Sequence, residues 1–411
     1  MKLPLKLVLI AIILSIFTSC FSMDPFSNPL SVFDVVRKVN SEKDLLIYKK
    51  KGLSIPRYSW SDQETLLLYA AMEKPHLMPM LINEGISSYV LKSDSFLINA
   101  ALYPDIPSEV FRICIESGAK VNLLNEKDGT SILSRLLFAG HPYETIKAFI
   151  DAGADVTKRD SRGLTPFLYA MSSQRKTDLR TIKLLTEKGS DPFVRILNGK
   201  NALMLAIESN QNLDIIGYLL ELGFRVDDTS TSEAGGYTPI TAAAMHTNSP
   251  ELISFLYQHG ASWDRQTNAE ISPLVIGLMH NPSLQVLMEL MVYEGIELAY
   301  LHEYNFNMLM VASTNPNPAV MAVLIELGYD DIFQNSAGMY DVNFQNSAGM
   351  SVLMRTAEFC VNPDMITLLL DTGADPKLKD KDGKTVLDYA MKNEKLKDTE
   401  VFWRLVDASF K

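Results

Sequence analysis

The stretch that decides the fold is residues 364–390, with the sequence DMITLLLDTGADPKLKDKDGKTVLDYA. An apolar run is followed by Gly373, then by the turn pair Asp382-Gly383, and then by Thr385, which precedes a second apolar run. Glycine is favoured just past the end of a helix, because it adopts the left-handed backbone conformation without a side-chain penalty. The stretch therefore predicts a helix that ends near Gly373, a tight turn, and a new helix that begins near Thr385.

The same pattern recurs along the chain. Residues equivalent to Thr385 are followed two positions later by an apolar side chain, and a glycine comes about 22 positions after most of them. The ten equivalent positions are Thr65, Ser95, Ser131, Thr165, Asn201, Thr238, Ser272, Asn307, Ser351 and Thr385. A repeat of this length indicates a solenoid, in which each repeat buries its apolar face only by stacking on its neighbours.

Two local signals place the helices within each repeat. Thr, Ser and Asn side chains cap free backbone N–H groups, so the ten equivalent positions predict the start of each first helix. The pairs Asn281-Pro282, Asn317-Pro318 and Asn362-Pro363 predict the start of second helices, because Asn caps and Pro suits the first helical turn. The residues are thus interpreted as structural rather than catalytic.

These residues resemble the ankyrin-repeat family. Its pattern is met best at 147–170, where Gly153-Ala154-Asp155 leads into Gly163-Leu164-Thr165-Pro166. The resemblance covers ten repeats over roughly 60–411, and it implies an all-α repeat solenoid of stacked helix-turn-helix units with β-hairpin loops. The family's histidine after the leucine is absent from every repeat, so the partners of other family members are not transferred.

The N-terminus indicates export and anchoring. Residues 1–19 combine Lys2 and Lys6 with an apolar core, as in a bacterial signal peptide, and Thr18-Ser19 before Cys20 resembles a lipoprotein signal. We expect a lipid on Cys20; ordinary cleavage and an uncleaved anchor helix are the alternatives. Residues 20–30 are then a tether, 31–53 a helical N-terminal cap, and 54–411 the solenoid.

Composition excludes several classes of function. The formal net charge is −11, and an acidic body repels the phosphates of nucleic acid. The six histidines form no metal-binding motif, and Cys114 and Cys360 lie seven repeats apart, too far for a disulfide. No phosphate-binding loop or nucleophile motif is present either. We therefore expect no cofactor, no metal and no enzymatic activity.

The resemblance implies that a partner meets the concave hairpin and first-helix face. Carried onto this chain, that face holds eight candidate residues: Leu164, Tyr237, Met245, His246, Ile271, Met279, His280 and Phe306. Aromatic and Met side chains are typical interface anchors. The alternative is that these side chains only pack on neighbouring hairpins.

The expected function is a non-enzymatic protein–protein interaction module. We expect a monomer that is anchored in the bacterial cell envelope and faces the periplasm or the cell surface. Two alternatives are a structural spacer at the membrane without a specific partner and a neutraliser of a secreted toxin. An enzyme of unrecognised type is a third class.

One spacing is irregular. Asn307 and Ser351 are 44 residues apart, and the sequence FQNSAGM occurs twice between them, at 333–339 and 344–350. A duplication of 11 residues explains the excess. We predict an insert near 334–344 that protrudes from the hairpin outside the helix stack.

Overall fold

The structure is a computed structural model, and it describes residues 31–230, 236–262, 271–294, 307–328 and 341–410. Within these ranges the chain forms 23 α-helices, and the only β-type pairing is an isolated bridge between Gln345 and Ser351. The predicted all-α repeat solenoid is confirmed, and the hairpin loops within the described ranges form no strand. In chain order the helices are α1 (Val32–Lys38), α2 (Glu42–Lys50), α3 (Trp60–Glu73), α4 (Met78–Asn83), α5 (Ser88–Leu91), α6 (Asp94–Ala100), α7 (Ser108–Glu116), α8 (Ile132–Ala139), α9 (Tyr143–Asp151), α10 (Pro166–Met171), α11 (Leu179–Glu187), α12 (Ala202–Glu208), α13 (Leu213–Glu221), α14 (Pro239–His246), α15 (Pro250–Gln258), α16 (Pro273–His280), α17 (Leu284–Glu294), α18 (Met308–Ala312), α19 (Pro318–Gly328), α20 (Val352–Phe359), α21 (Asp364–Asp371), α22 (Val386–Ala390) and α23 (Glu400–Phe410).

The described chain forms two compact units. One contains the described residues up to Asn125 together with His141–Ala154, and the other contains Glu126–Gly140 and the described residues from Asp155 onward. In the second unit each first helix contacts the first helix of the next repeat, from α8 to α10 and on to α22. The buried core of this unit therefore runs along the first helices.

The repeated Ser, Thr and Asn positions cap the first helices. From Ser131 to Ser351, seven of these side chains each accept the N–H group of the third residue of the helix that follows, at 2.9–3.4 Å. Two N-terminal positions differ from the prediction. Ser93, not Ser95, caps α6, while Thr65 lies inside α3 and donates its hydroxyl to the carbonyl oxygen of Ser61. In both places a serine that lies upstream of the expected position caps the helix, so the helix starts earlier.

The repeated glycines end the second helices. Seven of the nine have φ between +90° and +107°: Gly85, Gly118, Gly153, Gly189, Gly223, Gly260 and Gly373. Gly295 lies outside the described residues, and Gly328 is the last residue of α19. At the best-matching repeat, Gly153 N–H donates to Ile150, and Ala154 N–H donates to Phe149. The left-handed glycine thus satisfies carbonyl groups that the helix end leaves free.

The second of the first two helices, α2, ends in the same way. α2 is followed by Gly52, with φ +99°, and Gly52 and Leu53 donate N–H bonds to the carbonyls of Lys49 and Tyr48. α1 contacts α3 as one first helix contacts the next. Residues 31–53 therefore have a structure similar to that of one repeat.

The asparagines of the three Asn-Pro pairs lie at the starts of second helices, as predicted, and Asn281 also joins two repeats. Asn281, Asn317 and Asn362 each accept the N–H group two residues later, although only α19 starts at the proline itself. Asn281 also donates through Nδ2 to the carbonyls of Ala244 and Thr247 in the preceding repeat, at 2.9 and 2.8 Å. The sequence pattern gave no sign of this second role.

The described residues bear on the boundary of the predicted insert. Residues 329–340 lie outside the described residues, but 341–344 carry regular repeat contacts. Asn343 donates to the Gly373 carbonyl at 3.1 Å, as Asn122 donates to that of Gly153 at 2.9 Å. Asp341 follows Gly328 by 13 positions, whereas Asp155 follows Gly153 by two. By this count the 11 additional residues come before Asp341. Residues 334–340 of the predicted insert lie outside the described residues, so the position of the insert stays a prediction.

Replacing Gly373 with Ala tests the helix-end assignment. An added Cβ meets nothing within 4 Å, so the cost comes only from the backbone at φ +91°. We expect the free energy of unfolding to fall by about 1–2 kcal/mol. Gly217→Ala is the control, because Gly217 lies within α13 with ordinary φ and its Cβ would meet Phe255 at 3.8 Å. That change should raise stability by about 0.5–1 kcal/mol. Denaturant midpoints that move in the same direction would refute the assignment.

Two deletions of equal length test the insert boundary. Removing Asp330–Tyr340 keeps Asn343, whereas removing Gln334–Phe344 puts Ile332 in its place. The second deletion loses the bond to Gly373 and the 2.7 Å bond from Asp375 N–H to Asn343 Oδ1. We expect the first variant to keep the stability of the intact chain and the second to lose about 1–3 kcal/mol. Equal denaturant midpoints for the two variants would contradict this register.

Candidate functional site

Hydrogen bonds to the backbone fix the hairpin residues of the predicted binding face. Leu164 accepts the Asp160 N–H group through its carbonyl at 3.0 Å, and its own N–H donates to Asp160 Oδ1 at 2.8 Å. Tyr237 exchanges two similar bonds with Ser230, both at 2.9 Å. Each hairpin is thus closed at the residue just before the helix cap, which fixes where that side chain starts.

An ion pair shows which side chains meet on this face. Lys200 Nζ lies 2.6 Å from a carboxylate oxygen of Glu208, and both side chains are largely shielded from solvent. Lys200 precedes its helix cap by one residue, and Glu208 follows that cap by seven. In the next two repeats the same two positions hold Tyr237 with Met245 and Ile271 with Met279. An ion pair in one repeat is therefore replaced by apolar pairs in the next two.

We call Tyr237, Met245, Ile271 and Met279 the central patch. All four are half-buried. On the same two first helices, Ala242 and Ile276 are 4% exposed, each at the position that follows the cap by four residues. The four side chains of the central patch are thus more accessible than these neighbouring helix positions.

His246 and His280 border the central patch. Both are exposed at the C-terminal ends of α14 and α16. Partial burial and then the neighbouring His246 lower the pKa of His280 below its ordinary value. The uncharged form of His280 is therefore favoured.

The other predicted site residues are placed differently. Leu164 is half-buried, and the Lys200–Glu208 repeat separates it from the central patch along the chain. Phe306 lies outside the described residues. The structure adds Phe359, which is 47% exposed at the helix position equivalent to His246 and His280, with the Arg355 guanidinium 5.1 Å from its ring centre. That shared position was the signal in the sequence that could have identified Phe359.

The described ranges contain no group of three or more His, Cys, Asp or Glu side chains arranged to hold a metal ion. Burial raises the pKa of the Cys114 thiol to about 12 and that of Cys360 to about 11, so neither thiol is a reactive thiolate at neutral pH. None of the described helices has the length and apolar character needed to span a membrane.

Comparison with known proteins agrees with this architecture. The family "Ankyrin repeats (3 copies)" matches residues 172–267 and 309–410. "Ankyrin repeat domain-containing protein M-T5" of Myxoma virus (strain Lausanne) is 25% identical over 174 residues, which cover 41% of this chain and 36% of the viral protein. "Putative ankyrin repeat protein YahD" of Escherichia coli (strain K12) is 26% identical over 155 residues, 37% of this chain and 73% of YahD.

The match to M-T5 spans about a third of that relative's length, so it indicates the repeat architecture rather than a shared activity. The matched family segments contain three of the seven capping residues described above, Asn201, Thr238 and Ser351. They also contain four of the seven glycines with positive φ: Gly189, Gly223, Gly260 and Gly373. The resemblance predicted from the repeat pattern is confirmed. The chain is an ankyrin-repeat protein.

Proposed function

We propose that the protein captures a protein partner through the central patch, while a lipid on Cys20 holds it in the bacterial cell envelope. Ankyrin repeats are typically non-enzymatic modules for protein–protein interaction. The observation that supports this site is the change from the Lys200–Glu208 ion pair to two successive apolar pairs on one face.

The chemistry of the central patch suits a partner with apolar side chains. Tyr and Met are enriched at the centres of interfaces, where the thioether adapts to irregular surfaces and the aromatic ring contributes large contact area. The hydrogen bonds between Tyr237 and Ser230 hold the Tyr237 backbone before binding, which lowers the entropy lost on association. The ion pair of Lys200 forms a polar edge beside the patch.

The anchoring part of the proposal rests on the sequence. Lys2 and Lys6, the apolar run after them and the small residues before Cys20 are the features of a lipoprotein signal. A lipid on Cys20 would place the described repeats at a membrane without a spanning helix.

Replacing Tyr237 and Ile271 with Ser tests the central patch. We expect partner capture in a crosslinking pull-down from membranes to fall at least about tenfold, because central aromatic and aliphatic anchors dominate interface energetics. Both side chains are half-buried, so the denaturant midpoint should change little. The control is Leu197→Ser, because Leu197 is 89% exposed in a hairpin of the same unit.

Three outcomes would count against the central patch. Equal capture by the patch variant and the Leu197 control would exclude it as the binding surface. Loss of the folded state would show that Tyr237 and Ile271 are core residues. Failure of the unaltered chain to crosslink to any partner would favour a structural spacer.

Cys20→Ser tests the anchor. We expect metabolic palmitate labelling to disappear and the protein to leave the membrane fraction, or to remain unprocessed, because the thiol that would carry the lipid is absent. Cys114→Ser is the control, since Cys114 is buried and should not be modified. Equal labelling of the Cys20 variant and the unaltered chain would contradict a lipid at Cys20.

A further inference from the structure

Basic charge is concentrated at the start of the described chain. Residues 31–58 hold seven Lys and Arg against three Asp and Glu, although the whole chain holds 38 basic and 49 acidic residues. All seven basic residues are exposed: Arg37, Lys38, Lys43, Lys49, Lys50, Lys51 and Arg57. The first helix pair is therefore a positive region within an acidic protein.

One face of α2 combines this charge with apolar side chains. Lys43, Leu46, Ile47 and Lys50 are spaced by three, four and seven residues, which places them on one side of a helix. We call these four residues the N-terminal face. Leu46 is 50% exposed and Ile47 is 51% exposed, with a lysine one turn before and one turn after them.

The other sides of α2 are already occupied. Leu45 is 1% exposed in the core, and Lys49 forms a 2.7 Å ion pair with Glu84 just after α4 of the next repeat. Among the described residues, Lys43 and Lys50 form no ion pair. α2 thus contacts the following repeat through Lys49 and buries Leu45, while the side chains of the N-terminal face are exposed.

This arrangement is unusual for the outer side of a terminal repeat. The outer side of a capping repeat is expected to be polar. A pair of aliphatic side chains between lysines is instead typical of helices that lie at a membrane surface, where the lysines reach anionic headgroups and the aliphatic groups enter the boundary of the acyl chains.

We propose that the N-terminal face docks on an anionic lipid surface. Charge complementarity selects this occupant, since Lys43 and Lys50 are attracted to anionic headgroups whereas the acidic remainder of the chain is repelled. Cys20 lies 12 positions before Val32, so a lipid there would keep α1 and α2 near the bilayer. The contact itself requires neither that lipid nor the central patch, and it therefore goes beyond the proposed function.

Vesicle cosedimentation tests the contact without the lipid anchor. The protein is the chain from residue 20 onward with Cys20→Ser, which lacks the signal peptide and the acylated thiol. The vesicles contain phosphatidylcholine alone, or phosphatidylcholine with about one third phosphatidylglycerol. We expect binding to the phosphatidylglycerol vesicles only, and its loss in about 0.5 M KCl, where surface charges are screened.

Two pairs of substitutions separate the charge from the apolar contribution. Lys43→Glu with Lys50→Glu should weaken vesicle binding at least about tenfold, and Leu46→Ser with Ile47→Ser should weaken it several-fold. All four side chains are at least half exposed or charged at the surface, so the fold should be retained, and denaturant midpoints check this. The controls are Lys188→Glu with Lys395→Glu and Leu197→Ser, at exposed positions outside α2.

The outcomes are distinct from those of the proposed function. Absence of cosedimentation, equal binding to both kinds of vesicle, or equal effects of the control and α2 variants would each overturn the proposal. A folded α2 variant that has lost vesicle binding but still captures a partner through Tyr237 and Ile271 would support it. Loss of palmitate labelling at Cys20 bears only on the anchor, because the vesicle assay contains no acylated protein.

Discussion

The stacking of repeats in this protein depends on hydrogen bonds from one repeat to backbone carbonyl groups of the preceding repeat. A first helix ends with carbonyl groups that have no partner inside the helix. In three repeats an asparagine amide of the next repeat supplies the donor: Asn281 to Ala244 and Thr247, Asn315 to Leu278 and Asn281, and Asn393 to Ala357 and Cys360. Asn281 and Asn315 are fully buried, so a missing partner would cost about 1–3 kcal/mol.

These bonds fix the positions of neighbouring first helices, and thereby the surface they present. Asn281 is the residue after His280, and its amide reaches the end of α14, next to His246. Asn315 makes the corresponding contacts to the end of α16, and Thr314 beside it donates to the Met279 carbonyl at 3.2 Å. The histidines and methionines around the central patch are therefore presented on backbone segments that the core holds in register.

The sequence allowed prediction of what is local and periodic. Helix caps such as Ser131 and Thr238, and glycines such as Gly153, act within a few residues of their own position, so a single repeat reveals them. The repeat pattern did not predict which side chains donate hydrogen bonds to the preceding repeat. Asn281 is identified as such a donor only when the structure places Ala244 beside it. The insert boundary is ambiguous in the sequence for the same reason: the repeated FQNSAGM aligns equally well in two registers, and the contact between Asn343 and Gly373 favours one of them.

The candidate surfaces were harder to predict, because exposure is a property of the whole stack. The residues of the central patch could be predicted from their positions in the repeat, but their half-burial could not, since it depends on how neighbouring repeats stack. For the N-terminal face of α2, which includes Lys43 and Leu46, the sequence predicts only that it belongs to a helical cap. A cap is required to end the core, and Leu45 does so from the inner side of α2. Ending the core places no demand on the outer side, where polar residues alone would be sufficient. The exposed Leu46 and Ile47 between two lysines therefore need an explanation outside the fold, and contact with an anionic lipid surface provides one that agrees with the charge of this region and with its position close to Cys20 in the sequence.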